Sequence, residues 1–190
     1  MSKTPLWRKV IAAVIYPIII VLCSTCGLIH PACYAYVGTL FPLLAAFVYF
    51  YLAAEHQKFG AATILNVIVM ILAFVGGEGN APLYIGLVLL TAAAEIIRKI
   101  FGYDTLKGVR LSFIPMAFSF YAYAIHWWTN TEESLAEAVE EMPAGYADKM
   151  ASVIDNIPGL VIAMVLAIPV AILGIRLAGK VFKKQAESLS

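Results

Sequence analysis

Residues 81–110 read APLYIGLVLLTAAAEIIRKIFGYDTLKGVR, an apolar run that leads into a basic segment. The run 81–97 has about 17 residues, enough to cross a hydrocarbon core of about 30 Å as a helix. The basic segment that follows contains Arg98, Lys99, Lys107 and Arg110. Because short basic loops remain on the cytoplasmic side of a membrane, this stretch predicts a transmembrane helix that ends inside the cell.

The same pattern extends over the whole chain. Six apolar runs are present, at 10–29, 36–54, 59–75, 81–97, 109–128 and 157–181. Of the 13 Lys and Arg residues, all except Lys149 fall at alternate ends of these runs, at Lys3, Arg8, Lys9, Lys58, Arg98, Lys99, Lys107, Arg110, Arg176, Lys180, Lys183 and Lys184. The runs lack the alternation of polar and apolar residues that a membrane barrel needs. The sequence therefore predicts an all-α integral membrane protein, a single domain over 1–190, with six transmembrane helices and both termini cytoplasmic.

Composition supports a lipid environment. The chain is 62% hydrophobic and 13% charged, which leaves too little polar surface to coat a soluble protein of 190 residues. The net charge is only +1, and binding of a nucleic acid would need a clustered basic face. We therefore expect the lipid bilayer and no nucleic acid as a partner. The first run is longer than the apolar region of a secretory signal, and we expect it to be retained.

The long loop 129–156 is predicted to lie outside and to contain two short amphipathic helices. Leu135, Ala138, Val139 and Met142 recur at helical spacing in its first half. Tyr146, Met150, Val153 and Ile154 do so in its second half. Apolar undersides need something to cover, so the loop is predicted to form a lid over the outer ends of the helices or over a bound molecule.

The candidate substrate-binding residues converge on this loop. They combine aromatic and Met side chains with polar groups of a Gly-rich turn: His126, Trp127, Trp128, Tyr123, Tyr146, Met142, Met150, Glu78 and Asn80. Binding sites commonly join an apolar aromatic lining to a few fixed polar groups. The alternative for the aromatic residues around His126 is an interfacial belt.

A second candidate site is the Cys-x2-Cys-x3-His-x2-Cys segment formed by Cys23, Cys26, His30 and Cys33. Thiolates and imidazole suit zinc, copper or a haem iron. The alternative is that these cysteines pack as small apolar residues beside a loop histidine. Both alternatives stay open at this point.

The sequence contains no motif of a known catalytic centre. It has no P-loop, no His-Glu-x-x-His pair, no Gly-x-Ser-x-Gly elbow and no dinucleotide fingerprint, so we expect no enzyme and no required cofactor. Glu95 is the only acid inside a predicted span, and we expect it to pair with Arg98 three residues later. Asn66 is expected to bond a neighbouring helix.

Several segments resemble a known family of transporter subunits. They are 58–64 (KFGAATI), 76–82 (GGEGNAP), 145–148 (GYAD) and 174–184 (GIRLAGKVFKK). With these segments the chain resembles the substrate-binding S component of an energy-coupling-factor (ECF) transporter, and within that class the Trep_Strep or MptpE-like group. The chain departs from the family pattern in its first helix. S components often have two small residues four positions apart there, which contact the T subunit. Here Ala12 is followed at that distance by Tyr16, and Ala13 by Pro17.

The resemblance implies a function. S components sit in the prokaryotic cell membrane, capture a micronutrient outside, and depend on a transmembrane T subunit and two ATPase subunits for uptake. Haem or another metal-bearing tetrapyrrole is the ligand that relatives suggest. The competing interpretations are a non-transport membrane scaffold, an intramembrane enzyme, or a membrane protein that binds metal through its Cys and His residues.

Overall fold

The computed structural model describes residues 6–189, apart from the side chain of Arg8. Lys3, the first of the predicted cytoplasmic cations, lies outside the described residues. Within 6–189 the regular structure is helical and contains no strand. The helices are α1 (Leu6–Ser24), α2 (Pro31–Val37), α3 (Phe41–Glu55), α4 (Ala61–Val75), α5 (Ala81–Phe101), α6 (Leu106–Met116), α7 (Ser119–Ala124), α8 (His126–Thr129), α9 (Thr131–Glu141), α10 (Tyr146–Asp155), α11 (Ile157–Val181) and α12 (Lys183–Glu187).

Three helical segments of the described chain are long and apolar enough to cross a membrane. They are Lys9–Leu28, Pro31–Glu55 and Ile157–Val181, and Ala61–Val75 is a shorter apolar helix. The predicted run 109–128 is not a single helix, because it divides into α6, α7 and α8. Pro115 lies in the last turn of α6, where it supplies no N–H to the helix and clashes with the preceding turn. The chain bends there, and Phe118 N–H donates to the Pro115 carbonyl at 3.0 Å.

Helices α3 and α11 approach each other closely because α11 presents small residues to α3. Ala167, Ala171 and Ala178 are fully buried along this face. At Gly174, an added Cβ would lie 2.9 Å from the Pro42 carbonyl oxygen. Small residues at helix interfaces let backbones approach and pack without a void, which is how apolar helices associate in lipid.

The basic segments of the sequence meet at one end of the bundle, which we call the basic end. Lys9 Nζ donates to the Glu55 carbonyl at 2.7 Å. The chain terminus folds back onto the same end, where Gln57 Nε2 donates to the Ser188 carbonyl at 3.3 Å and Leu106 N–H donates to the Leu189 carbonyl at 3.0 Å.

The turn between α3 and α4 at the basic end is held by two buried charges, Glu95 and Arg98. Glu95 Oε1 accepts the N–H groups of Gly60, Ala62 and Thr63 at 3.0, 3.0 and 3.3 Å. These donors begin α4, and a carboxylate complements the positive end of a helix dipole. Gly60 has φ of 118°, a left-handed conformation that a residue with a Cβ adopts only with strain.

Arg98 stabilises the other side of the same turn. Its Nη2 donates to the carbonyls of Ala53, His56 and Tyr103 at 2.9, 3.2 and 2.8 Å. The carbonyls of Ala53 and His56 lie at the C-terminal end of α3, where carbonyl groups have no N–H partner within the helix. The predicted pairing of Glu95 with Arg98 is therefore wrong, because each side chain bonds main-chain groups that sequence spacing cannot reveal. The expectation for Asn66 is confirmed: its Nδ2 donates to Thr91 Oγ1 of α5 at 2.8 Å.

Candidate functional site

A cavity of about 230 Å³ lies at the opposite end of the bundle, which we call the acidic end. The outer end of α1, the turn Thr25–Leu28 and α2 form one wall. Glu78 and the helices α7 and α8 form another, and α9 and α10 of the long loop close over it. We call this space the outer cavity. The loop 129–156 is thus folded onto the bundle and forms part of the cavity lining.

Seven of the nine predicted substrate-binding residues line the outer cavity: Glu78, Tyr123, His126, Trp127, Met142, Tyr146 and Met150. The structure therefore brings together side chains from three separate segments of the sequence. Their role in binding a substrate stays a prediction. The lining also includes residues from the outer end of α1 and from the turn Thr25–Leu28, and it includes no residue of α11.

Asn80 and Trp128 have other positions. Asn80 Oδ1 accepts the Leu83 N–H at 2.9 Å and caps α5, and the residue lines an adjoining cavity of about 120 Å³ that also contains Glu78 and Glu137. Trp128 Nε1 donates to the Ile154 carbonyl at 3.2 Å, at the end of α10. Trp128 does not line the outer cavity and instead connects α8 to the loop.

Tyr34 is a cavity residue that the sequence analysis missed. Its ring stacks on Trp127 with centroids 4.4 Å apart and planes at 29°. Tyr34 is 7% exposed and lines the cavity. Its hydroxyl makes no hydrogen bond within residues 6–189. The only available signal was its place beside Cys33 at the outer end of the second span, where an aromatic residue commonly marks the membrane interface.

Helix α9 departs from its predicted amphipathic face at one position, since Ala138 is buried and Leu135 and Met142 pack against the core as predicted. Val139, predicted to face inward, is 70% exposed, whereas Ser134 and Ala138 are buried. Glu137 and Glu141 line the outer cavity. Periodicity identifies a face of a helix but not what that face contacts, and here the partner is a polar cavity.

The loop is attached to the bundle by specific hydrogen bonds. The Tyr146 hydroxyl donates to the Gly27 carbonyl at 2.7 Å, joining α10 to the turn after α1. Asn156 Nδ2 donates to the Tyr36 hydroxyl at 3.0 Å. Burial raises the pKa of Tyr146 above its ordinary value, so its hydroxyl keeps its proton and remains a donor. These bonds join the loop 129–156 to the turn after α1 and to α2.

The electrostatic character of the outer cavity is acidic. Glu78, Glu137 and Glu141 lie in its lining, and no Lys or Arg of the described chain does. None of the three carboxylates forms a hydrogen bond through its side chain within residues 6–189. His126 Nδ1 lies 3.2 Å from the Tyr123 carbonyl, which fixes its ring at the cavity wall. Such a lining attracts cations and repels anions.

The predicted metal-binding residues do not form a ligand set. Cys23 is buried, Cys33 is exposed, and all three cysteines are free thiols. His30 Nδ1 accepts the Ala32 N–H at 3.1 Å and so caps α2. Within residues 6–189 no three His, Cys, Asp or Glu side chains are grouped to hold a metal ion. The turn Thr25–Leu28 contains Cys26 and separates Cys23 on α1 from Cys33 on α2.

Long apolar helices in an all-helical bundle define the class of this chain as an integral membrane protein. The chain belongs to the Trep_Strep family, described as hypothetical bacterial integral membrane proteins, whose family model matches residues 7–187. The family group that the sequence resembles is therefore confirmed. No curated protein and no solved structure matches the chain.

Proposed function

We propose that this protein is the substrate-binding S component of an energy-coupling-factor importer in the bacterial cell membrane. In this proposal the chain crosses the membrane six times, with the basic end in the cytoplasm and the acidic end outside. The segregation of charge supports this orientation, since basic loops resist translocation. Lys58, Lys107 and α12 belong to the basic end, and Glu78, α9 and α10 belong to the other.

The observation that carries the proposal is the outer cavity beneath a folded lid. A scaffold would need no cavity at one end, whereas a capture subunit needs a site that opens to the outside. The cavity combines aromatic walls with a few polar groups, the usual composition of a small-molecule site. The captured nutrient would then be moved inward by a T subunit and two ATPase subunits.

The haem expectation fits this lining poorly. His126, Met142 and Met150 could serve as iron ligands, and all three line the cavity. Haem also carries carboxylates, however, and the cavity presents three further carboxylates without a cation to neutralise them. A metal-bearing tetrapyrrole therefore ranks below a nutrient that carries positive charge.

Co-purification tests the proposed function. The affinity-tagged chain, extracted from its native membrane in mild detergent, is expected to bring down one T subunit and two ATPases. The control bait is an unrelated multi-helix membrane protein of the same cells, prepared identically. Recovery of the same proteins with both baits, or of no ATPase with the tagged chain, would contradict the transporter role and favour the scaffold.

A further inference from the structure

The outer cavity is lined by a tyrosine whose hydroxyl bonds nothing else in the described chain. Tyr34 is 7% exposed, and its hydroxyl has no hydrogen-bond partner within residues 6–189. A hydroxyl in a cavity wall that bonds nothing in the protein is available to a ligand in that cavity. Glu78, Tyr123 and Tyr146 lie near Tyr34 in the lining of the same cavity.

The carboxylates around the cavity are arranged for a bulky cation. Glu78, Glu137 and Glu141 have no partner side chain, and no group of three potential ligands within residues 6–189 is close enough to hold a metal ion. A metal ion needs several donors converging on one point. Separated carboxylates create instead a diffuse negative potential, which suits a charge spread over an organic group.

The aromatic walls favour the same kind of ligand. Tyr34 and Trp127 form a stacked pair, and the His126 ring lies 6.4 Å from Tyr34. Aromatic faces attract organic ammonium groups, and Trp and Tyr are the strongest residues for this purpose. A cation beside these rings therefore gains from both the carboxylates and the π-systems.

An apolar cavity of about 290 Å³ continues from the outer cavity toward the lipid-facing depth of the bundle. It lies between α1 and α4, with Pro17, Ile20 and Leu72 in its walls. The two cavities share Ser24, Glu78 and Tyr123. A charged group held at Glu78 would therefore have room beside it for an apolar extension.

We propose that the ligand is an organic cation with an apolar body, whose positive group lies between Glu78 and the Tyr34–Trp127 pair. The apolar body extends between α1 and α4. This inference rests on the proposed function, since it names the substrate class of that same site.

Binding of three small aromatic probes tests the charge requirement. The full chain in lipid nanodiscs is titrated with benzyltrimethylammonium, benzyl alcohol and phenylacetate, and we expect affinity to fall in that order.

Glu78→Gln should weaken binding of the cation by about tenfold, because the partner charge is lost. It should leave thermal stability unchanged, since Glu78 bonds nothing in the protein through its side chain. Glu140→Gln makes the same change of charge on α9 outside both cavities, and it should have little effect.

A longer probe tests the apolar extension. Benzyldimethylhexylammonium should bind more tightly than benzyltrimethylammonium, since its added methylenes enter the cavity between α1 and α4. Leu72→Trp fills that cavity from an exposed wall position and should remove the gain of the longer probe over the shorter one. A gain that survives Leu72→Trp would reflect partition into lipid and would overturn this part of the proposal.

The cation proposal is overturned if phenylacetate binds as tightly as benzyltrimethylammonium, if the cation does not bind at millimolar concentration, or if Glu140→Gln and Glu78→Gln weaken binding equally. These outcomes are separate from the co-purification test. Selective cation binding without partner subunits would reject the transporter role and keep the substrate class, and partner subunits without cation selectivity would do the reverse.

Discussion

The two ends of the bundle differ in how their polar side chains are bonded. At the basic end, the buried charges of Glu95 and Arg98 are engaged by main-chain groups of the α3–α4 turn. At the acidic end, Glu78, Glu137 and the Tyr34 hydroxyl surround a cavity without a partner in the described chain. Glu95 Oε2 and Arg98 Nε have no hydrogen-bond partner in the described chain, but Glu95 Oε1 and Arg98 Nη2 bond the main chain and so stabilise the turn. Groups that line a cavity and bond nothing in the protein are available to a ligand. We infer a structural role for the basic end, and we propose a binding role for the acidic end.

The largest expected effect concerns the sides of the membrane on which the two ends lie. In a background with Cys23, Cys26 and Cys33 replaced by Ala, Glu140→Cys should react with an impermeant thiol reagent added to intact cells. Ser188→Cys should react only after permeabilisation, because basic segments remain inside. Both positions are exposed, so access to the protein surface does not limit either reaction. Labelling of both positions in intact cells would reject the six-span arrangement.

A large loss of stability is expected from Arg98→Met. Arg98 is fully buried and bonds three carbonyls through Nη2, so its removal leaves these carbonyls and the nearby Glu95 carboxylate without compensation. Breaking such a buried network costs about 3 kcal/mol. Denaturant unfolding in detergent measures the change, and Lys99→Met is the matched control, because Lys99 is exposed on the next position of the helix. Equal stability of the two variants would show that the charges at the basic end are not structural.

A smaller effect is expected when the aromatic pair of the cavity is disrupted. Trp127→Leu keeps an apolar side chain but removes the ring that stacks on Tyr34, and it should weaken binding of benzyltrimethylammonium by about tenfold. Trp128→Leu is the matched control, because Trp128 lies outside the cavity and contacts Ile154. If Trp128→Leu has the larger effect on affinity, the ligand lies nearer the contact between Trp128 and Ile154 than the Tyr34–Trp127 pair.

The sequence could predict the helices and much of the cavity lining because both depend on local signals. Apolar runs fix which segments are helical, and α11 matches its predicted range 157–181. The aromatic and Met residues between 123 and 150 could be assigned to one site because many of them occur in segments that are predicted to lie on the same side of the membrane. What local signals cannot provide is the partner of a polar group across the bundle. Glu95 contacts Gly60, which is 35 residues away in sequence, and Tyr34 contacts Trp127. Neither spacing follows from the periodicity of a helix.

The break in the run 109–128 shows the same limit at a smaller scale. Pro115 predicts a bend, but proline in a membrane helix is compatible with either a continuous kinked helix or separate short helices. The packing of Phe113, Met116 and Phe120 into the core selects the divided form. The division matters for the site, because it turns α8 so that His126 and Trp127 face the cavity and Trp128 faces α10.

The smallest effect is expected where the lid is joined to the bundle by a single hydroxyl. Tyr146→Phe removes the hydrogen bond to the Gly27 carbonyl, and a net hydrogen bond contributes about 1 kcal/mol. The lid should therefore open about fivefold more often, which raises amide hydrogen exchange in α10 without lowering the unfolding temperature of α3 and α11. Tyr84→Phe is an instructive control, because the Tyr84 hydroxyl is buried without a hydrogen-bond partner in the described chain. Its removal should be neutral or slightly stabilising, since an unsatisfied buried group is lost. Unchanged exchange in Tyr146→Phe would mean that the contacts of Trp128 and Asn156 alone keep the lid closed, and the acidic end would then be as firmly fixed as the basic end.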